Sequence, residues 1–318
     1  MITKLKIIRA EGLNPYRNQA IEKYLLDTCE IGEMILYLWA NDKTVFIGKN
    51  QNAYTECRIN ELVADGGFVA RRFTGGGAVY HDKGNLNFTF IACRGDYDIP
   101  NQFAIMTGAM RALGFNAELT GRNDVVIDSK KFSGNAFYKS GDACLHHGTI
   151  LINSNHQSIA KYLNVSRVKL NAKGVKSVVS RVCNLSDYRA DINAEEVANA
   201  LIQSLKNRYP DAVCEFIEES DLPEDKTEAL TGRFADENYV RGDDVHYNAA
   251  FEHRYEWGVA DIRLEFNGNV IEKAKIYSDT LDTESVELKE KLLTGTDITK
   301  SVDPRIKDII QTIGADKQ

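Results

Sequence analysis

The chain has 318 residues, enough for about two domains of ordinary size. Hydrophobic residues make up 43% of it and charged residues 27%, with 23 glycines and only 5 prolines, which excludes a disordered, collagen-like or low-complexity protein. Aspartate and glutamate total 46 against 39 lysines and arginines, and the formal net charge of −7 argues against binding nucleic acid or an anionic membrane over a broad surface.

The cysteines are widely spaced and include no C-x-x-C pair, which argues against a zinc ribbon or a thioredoxin-type site. They are Cys29, Cys57, Cys93, Cys144, Cys183 and Cys214. The first ten residues lack the long apolar core of a signal peptide, and no run approaches 18 apolar residues. The sequence therefore predicts a cytoplasmic protein in a reducing compartment.

The spacing of apolar residues predicts alternating strands and helices in the first part of the chain. In chain order these are a strand at residues 1–10, a helix at 18–29, strands at 34–39 and 44–47, a helix at 55–64, strands at 68–73 and 86–93, and a helix at 101–113. Asn41-Asp42 separates the second and third strands and is typical of a turn, so we expect these two strands to form a hairpin.

The middle of the chain is predicted to be rich in β-structure. Short strands are expected at residues 125–127, 131–132, 143–145 and 149–152, and helices at 156–163 and 194–208. After Pro223 the composition becomes polar and charged, and a linker is expected near Gly242. Asn267-Gly268 then predicts a hairpin, and helices are expected at residues 283–293 and 304–313. We therefore expect a larger domain at residues 1–242 and a small domain at residues 243–318.

The stretch from Arg71 to Asp82 contains three consecutive glycines between β-rich flanks. Glycine lets the backbone approach a ligand closely and lets several N–H groups point at one anion, and Arg72 adds a guanidinium suited to phosphate or carboxylate. The glycines fit neither a Walker P-loop nor a G-x-G-x-x-G fingerprint. A glycine-rich bend without a ligand is the structural alternative.

A second polar cluster is expected where Asn123-Asp124 enters a strand and Lys130-Lys131 begins the next one. A carboxylate there can hold a hydrated metal ion or a substrate hydroxyl group, and the Lys131 ammonium can neutralise a phosphate. Lys130 should point to the opposite face of its strand. These residue types are also common in solvated turns, so a hairpin without a function is the alternative.

Two adjacent histidines, His146 and His147, lie in a predicted strand. Adjacent side chains of a strand point to opposite faces, so the two cannot ligate the same metal ion. One histidine buried and satisfied by hydrogen bonds, with its neighbour at a ligand pocket, is the alternative to catalysis. Cys144 lies two residues before His146, which leaves open either a Cys–His nucleophile or a buried thiol.

In their order and spacing, these motifs resemble the bacterial lipoate–protein ligases of the biotin/lipoate-ligase family. Residues 173–184 resemble the adenylate-binding loop of that family. The resemblance is close over about residues 15–190 and looser around residues 251–281. Thr74 stands where the family often has serine, and Val179 and Cys183 stand where it often has arginine and threonine.

The resemblance implies an α/β (α+β) fold, with a catalytic domain of two mixed β-sheets and flanking helices and a small α+β C-terminal domain. It implies that ATP and lipoate give lipoyl-AMP and pyrophosphate, with Mg²⁺ as cofactor, and that the lipoyl group then passes to a lysine of a lipoyl domain. The implied acceptors are the E2 subunits of 2-oxoacid dehydrogenases and the H protein of glycine cleavage. We expect a monomer, with neither nucleic acid nor membrane as a partner.

The resemblance also assigns roles to individual residues. Lys131 is implied as the catalytic residue, bridging the acyl carbonyl and the α-phosphate, and Asp124 as an indirect ligand of Mg²⁺. The residues implied to bind ATP or lipoyl-AMP are Arg72, Gly76, Gly77, Ala78, Val79, Tyr80, Asn123, Asp124, Lys131, Gly174, Val175 and Ser177. Those implied to bind lipoate are Arg72, Thr74, Gly75, Lys131, Ser133, Gly134, His147 and Gly148.

Three other functions fit parts of the pattern. An ATP-independent octanoyl or lipoyl transferase of the same fold would use a cysteine, for which Cys144 is the candidate. A biotin ligase shares the fold but has a different basic glycine loop. A non-catalytic module that binds acylated carriers needs no pyrophosphate site, and Lys131, Asp124 and Arg72 argue against it. We therefore expect the ATP-dependent ligase.

Overall fold

The computed structural model describes residues 1–121, 123–164, 182–242 and 247–316. The strands are β1 (Lys4–Arg9), β2 (Glu33–Trp39), β3 (Thr44–Ile47), β4 (Phe68–Arg71), β5 (Val79–His81), β6 (Asn85–Cys93), β7 (Glu118–Thr120), β8 (Asp124–Ile127), β9 (Lys130–Ser140), β10 (Ala143–Leu151), β11 (Val213–Ile217), β12 (Ala249–Tyr255), β13 (Gly258–Asn267) and β14 (Val270–Ser278). The helices are α1 (Pro15–Asp27), α2 (Ala53–Glu56), α3 (Ile59–Ala64), α4 (Ile99–Ala112), α5 (His156–Tyr162), α6 (Ala194–Arg208), α7 (Glu224–Ala235), α8 (Glu237–Arg241), α9 (Thr283–Leu293) and α10 (Lys307–Asp316). Short 3₁₀ turns lie at Leu185–Asp187, Glu219–Asp221 and Pro304–Ile306.

The largest sheet has the strand order β11-β1-β2-β6-β10-β9-β8-β7. Its first three strands are parallel and the others antiparallel, so the sheet is mixed. All residues of β2 and β6 are buried, as expected for strands covered on both faces. One face packs on α4 and α6 and the other on α1, each through its own hydrophobic cluster.

A second mixed sheet, of order β4-β3-β5, carries the glycine-rich loop between β4 and β5. The third sheet, β12-β13-β14, is antiparallel and packs on α9 and α10 around a separate hydrophobic cluster. The predicted α/β architecture of two mixed sheets with flanking helices, followed by a small α+β unit, is confirmed. Residues 243–246, where we placed the domain boundary, lie outside the described residues, so that boundary stays a prediction.

The predicted hairpin between residues 34–39 and 44–47 is wrong, because the two strands belong to different sheets. Asn41 is fully buried and hydrogen-bonds to Asn18 and His81, so this residue belongs to the interior and not to an exposed turn. The hairpin at Asn267-Gly268 is confirmed by the pairing of β13 with β14. The predicted helix at residues 55–64 is instead two short helices, separated where Cys57 bridges to Leu163.

The two buried arginines at the end of β4 tie several loops together. The guanidinium of Arg71 donates to the main-chain carbonyls of Gly48, Lys49 and Gln51 and to those of Tyr239 and Val240. Burial lowers the pKa of this guanidinium, and its hydrogen bonds offset part of the cost of removing the charge from water. Arg71 thus connects the loop after β3 to helix α8.

We expect Arg71→Met to lower the free energy of unfolding by at least about 2 kcal/mol, because buried carbonyl groups would lose their donor. Arg111→Met, at an exposed position near the end of α4, should change it by no more than about 0.5 kcal/mol. Urea-induced unfolding followed by circular dichroism measures both. Equal effects of the two substitutions would contradict this role of Arg71.

Candidate active site

A cavity of about 180 Å³ lies between the largest sheet and the β4-β3-β5 sheet. Ten predicted site residues line it: Arg72, Gly76, Gly77, Ala78, Val79, Asn123, Lys131, Gly134, His147 and Gly148. Seven further residues, which were not predicted as site residues, also line it: Trp39, Phe46, His81, Asn87, Asn135, Ala136 and Thr149. The structure thus brings the three sequence motifs to one place.

Five predicted site residues lie beside this cavity without lining it, namely Thr74, Gly75, Tyr80, Asp124 and Ser133. In β5, alternation directs Val79 and His81 to the cavity, whereas the ring of Tyr80 packs against that of Tyr162 with ring centroids 5.4 Å apart. Three more, Gly174, Val175 and Ser177, fall outside the described residues.

Arg72 shapes the glycine-rich loop from within. Its guanidinium donates to the main-chain carbonyls of Phe46, Gly75 and Gly77 and to the hydroxyl oxygen of Thr74. Burial lowers the pKa of Arg72 to about 10, so the side chain stays charged at neutral pH. Its positive charge therefore lies directly under the loop, although most of its donors are bonded to the protein.

The first two glycines of the loop pack against residues Thr280 and Leu281 of the C-terminal unit. The N–H of Gly76 donates to the Thr280 carbonyl at 2.9 Å, and φ at Gly76 is 97°, a conformation that favours glycine. A Cβ atom on Gly75 would lie 2.4 Å from the same carbonyl oxygen. By contrast, Gly77 has open space beside it and lines the cavity, so the backbone of Gly77 is the part of the loop that a ligand can approach most closely.

Lys131 reaches the cavity from the start of β9. Its Nζ lies 2.6 Å from Oδ1 of Asp124 on the neighbouring strand β8, and both side chains are more than one-third exposed. A Cβ on Gly134 would lie 2.8 Å from this Nζ, so the glycine leaves the space that the ammonium occupies. Lys130 is exposed and does not line the cavity, as the alternation along the strand predicted.

His147 is held on both ring nitrogens. Nδ1 lies 2.8 Å from Oε1 of Glu22, which is 1% exposed, and Nε2 lies 2.9 Å from the hydroxyl of Thr74. Thr89 also donates to Oε1 of Glu22, and Trp39 donates to the Thr89 hydroxyl oxygen. His147 therefore presents its ring to the cavity and its nitrogens to the protein. The carboxylate partner Glu22 comes from α1, and no local pattern in the sequence marked it.

His81 lines the cavity, and its ring is held by Asn41. Asn18 donates to the Ala40 carbonyl and to Oδ1 of Asn41, which leaves Nδ2 of Asn41 facing Nδ1 of His81 at 3.2 Å. Nδ1 therefore accepts, and the ring proton is on Nε2. Within the described ranges Nε2 has no hydrogen-bond partner, and burial lowers the pKa of His81 to about 3.

Cys144 lies on the other side of the sheet from the cavity. His147 pairs with Thr89, on the cavity face, whereas His146 pairs with Phe90, on the face that packs on α4. Cys144 shares the face of His146, is fully buried, and has a pKa raised by burial. Among the described residues that line the cavity there is no cysteine. The position of Cys144 does not fit that of a nucleophile acting in this cavity.

Burial keeps His81 and His146 neutral, since it lowers the pKa of each to about 3 from an ordinary value of 6.5. We expect their ring C2–H NMR signals to stay constant between pH 8 and pH 5, with His81→Gln and His146→Gln variants assigning the signals. The unfolded chain takes up protons on these histidines below about pH 6.5, whereas the folded chain does not, so their contribution to stability is lost as the pH falls. A midpoint above pH 5 for either signal would contradict their assigned burial.

The sequence matches two protein families. The family described as "Lipoyl protein ligase A/B catalytic domain" covers residues 14–206, and "Bacterial lipoate protein ligase C-terminus" covers residues 244–316. "Lipoate-protein ligase A" of Psychrobacter cryohalolentis is 38% identical over 304 residues, which is 93% of this chain and 90% of the relative.

Solved structures of similar proteins have the same fold. The P. falciparum protein LipL1, in complex with lipoate, superposes with a TM-score of 0.81 at 28% identity and covers 98% of both chains. A lipoate-protein ligase A bound with ATP gives a TM-score of 0.64 at 27% identity, over 76% of this chain and 99% of that one. A bipartite lipoate protein ligase of Thermoplasma acidophilum, from a structural analysis that includes its E2 lipoyl domain, gives 0.65 at 29% identity, over 78% and 100%.

None of the helices in the described ranges combines the length and the apolar character needed to cross a membrane. The two family matches, the similarity over nearly the full length and the arrangement of the cavity agree with one another. The chain belongs to the lipoate–protein ligase family.

Proposed function

We propose that the protein joins lipoate to ATP, giving lipoyl-AMP and pyrophosphate, and then transfers the lipoyl group to a lysine of a lipoyl-domain protein. The observation that carries this proposal is the position of Lys131, whose ammonium lies in the cavity wall beside Asp124 and close to Asn123. The relatives solved with lipoate and with ATP support both substrates.

The first half-reaction brings two anions together. An oxygen of the lipoate carboxylate attacks the α-phosphorus, the bond from that phosphorus to the bridging oxygen breaks, and pyrophosphate leaves. Lys131 can stabilise the charge that develops between the carboxylate and the α-phosphate, because its ion pair with Asp124 already places the ammonium in the cavity wall. The buried charge of Arg72 under the glycine-rich loop adds to the positive potential there.

The apolar part of the cavity suits the aliphatic part of lipoate. Trp39, Phe46 and Ala136 line it together with the ring of His147. Apolar walls with a few placed polar groups are the usual composition of a small-molecule site. We propose that Thr74, Gly75 and Ser133 support this wall from behind, and that lipoate meets Gly134 and Gly148 directly.

Mg²⁺ is proposed to be held mainly by the phosphates of ATP. No group of three or more metal-binding side chains that could hold a metal ion is found among the described residues. Asp124 engages Lys131 through Oδ1, which leaves its second oxygen to face a hydrated ion. This donor set fits Mg²⁺, which is commonly bound through one or two carboxylates together with substrate phosphates. The bound ion would neutralise the leaving pyrophosphate.

In the second half-reaction, the amine of the acceptor lysine attacks the acyl carbon of lipoyl-AMP, an amide forms and AMP leaves. We propose lipoyl domains of dehydrogenase E2 subunits and the H protein of glycine cleavage as acceptors. The Thermoplasma acidophilum relative, studied together with an E2 lipoyl domain, supports this class of partner. We also propose that the protein acts as a monomer in the cytoplasm.

The direct test is to incubate the protein with a lipoyl domain, lipoate, ATP and Mg²⁺ and to weigh the acceptor by mass spectrometry. We expect the lipoyl mass to appear only when ATP is present, and Cys144→Ser to change the rate by no more than a few-fold, because the adenylate route uses no enzyme thiol. Transfer at the full rate from an acyl carrier protein without ATP, with a thioester on Cys144, would instead favour the octanoyl or lipoyl transferase.

Lys131→Ala should slow adenylate formation, measured as lipoate-dependent ATP–pyrophosphate exchange, by about 10²–10³-fold, as expected for the loss of one preorganised donor. Lys130→Ala is the matched control, because it removes the same charge from the neighbouring, exposed position. It should leave the exchange rate unchanged within about two-fold. If both substitutions slowed exchange equally, net charge and not the placement of Lys131 would be responsible.

A further inference from the structure

We propose that His146, on the face of the sheet opposite the cavity, is a positioning residue for adenylate formation. It orients Asn135, which in turn fixes Asn123 and the start of the strand that carries Asp124. The inference rests on the proposed function, since it assigns a role in the first half-reaction to a side chain that does not line the site.

The surroundings of His146 are aromatic. The ring is 0% exposed, and its centroid lies 4.8 Å from those of Phe103 and Phe137 and 5.5 Å from that of Phe88. A phenylalanine would pack there without the cost of burying two polar nitrogens. The polar contacts of the ring therefore call for an explanation other than packing.

Both ring nitrogens meet side-chain amides. Nε2 lies 2.9 Å from Oδ1 of Asn135, and Nδ1 lies 3.1 Å from the terminal amide of Gln102. The Asn135 amide has a fixed orientation, because its nitrogen donates to the main-chain carbonyl of Asn123. Its oxygen therefore faces His146, and the ring proton is on Nε2.

The ring is neutral, since burial lowers the pKa of His146 to about 3. With the proton on Nε2, Nδ1 must accept a hydrogen bond. In the structure the oxygen of the Gln102 amide faces Nδ1, and a half-turn of the amide brings its nitrogen there instead. The half-turn also gives this nitrogen a partner, which it otherwise lacks among the described residues. In this orientation Gln102 donates to Nδ1 and so stabilises the tautomer whose Nε2–H holds the Asn135 oxygen.

Asn135 and Asn123 form a reciprocal clamp. The main-chain N–H of Asn135 and its side-chain nitrogen both donate to the Asn123 carbonyl, at 2.9 and 3.0 Å. The side-chain nitrogen of Asn123 donates back to the Asn135 carbonyl at 2.8 Å. We call the hydrogen bonds that run from Gln102 of α4 through His146 to Asn135 the relay. Both residues of the clamp line the cavity, so the clamp connects the relay to the wall of the site.

The clamp matters because the ladder beside it is irregular. The pairing of β8 with β9 shifts between Val125 and Val126, so Val126 faces Lys131 whereas Val125 faces Ser133. A shifted ladder fixes the strands less firmly than a regular one. The clamp lies at the end of this pairing where Asp124 faces Gly134. It holds Asn123, which is next to the Asp124 that binds Lys131.

The test is His146→Phe, which keeps an aromatic ring in place and removes the N–H that orients Asn135. We expect kcat for lipoate-dependent ATP–pyrophosphate exchange to fall about ten-fold, while KM for lipoate changes less than two-fold, because the apolar walls are untouched. Phe103→Leu is the matched control: it loosens packing on the same ring without removing a hydrogen bond, and should leave kcat unchanged within about two-fold.

A double-mutant cycle tests whether His146 acts through Asn135. Asn135→Ala should slow exchange at least as much as His146→Phe, and adding His146→Phe to it should cause no further loss. Multiplicative losses would overturn the relay. His146→Gln supplies an amide N–H in place of the imidazole and should recover at least half of the lost activity.

The outcomes distinguish this inference from the proposed function. If the unaltered protein shows no lipoate-dependent exchange, the proposed function fails and the role of His146 fails with it. If the unaltered protein is active and the His146→Phe variant has the same kcat for exchange, only the proposed role of His146 is wrong. Should His146→Phe fail to fold, ring-nitrogen NMR of the unaltered protein decides: an Nδ1–H tautomer of His146 would overturn the proposal, and an Nε2–H tautomer together with the slow Asn135→Ala variant supports it.

Discussion

Two neighbouring guanidiniums, buried at the end of one short strand, hold together the part of the molecule on which the site depends. Arg71 and Arg72 are each 7% exposed and point to different loops. Arg71 binds carbonyls after β3 and in α8, and Arg72 binds carbonyls of β3 and of the glycine-rich loop. Buried charge is costly unless its hydrogen bonds are satisfied, so the loops must converge on these groups to fold. Because Arg72 also donates to the Gly77 carbonyl, the need to satisfy this guanidinium places Gly77 at the cavity.

A line of hydrogen bonds continues from this pair into the opposite sheet. Arg72 donates to Thr74, which contacts His147, and His147 contacts Glu22 of α1. Three hydrogen bonds thus connect a buried guanidinium to a buried carboxylate, and the charge of Glu22 opposes the loss of the proton from Arg72. Networks of this kind are stable when every member is satisfied, and they give the wall of the site one preferred arrangement. The cavity is therefore lined by groups whose orientations are set from behind.

The sequence was sufficient for features that depend on local alternation. The opposite directions of His146 and His147, and of Lys130 and Lys131, follow from the two-residue period of strands, whereas the resemblance implied that Lys131 is the lysine of the site. The apolar spacing of residues 194–208 was sufficient to predict that helix. The start of α1 was also predictable, because Asn14 caps the helix and Pro15 is its first residue, but the prediction placed the start at residue 18.

Features that depend on distant pairing were not predictable in this way. Asn41 looked like a turn residue, but its partners are Asn18 and His81, which come from different parts of the chain. Glu22 and Trp39 enter the site from separate elements, and neither has a neighbour in sequence that marks it. The strand β11 was missed because only five residues form it and half-exposed positions give it no clear alternation. Contacts across long separations decide each of these cases.

The pairing of β1 with β11 affects how the chain can fold as it is synthesised. Lys4 lies opposite Val213, so this edge of β1 cannot be covered by β11 until more than 200 residues have been made. During that time β1 can pair with β2, but its other edge stays open, and an open strand edge is a template for pairing with other chains. Contacts between distant residues also slow folding. One edge of β1 therefore stays open to association with other nascent chains until β11 has been made, and early capture by a chaperone would protect it.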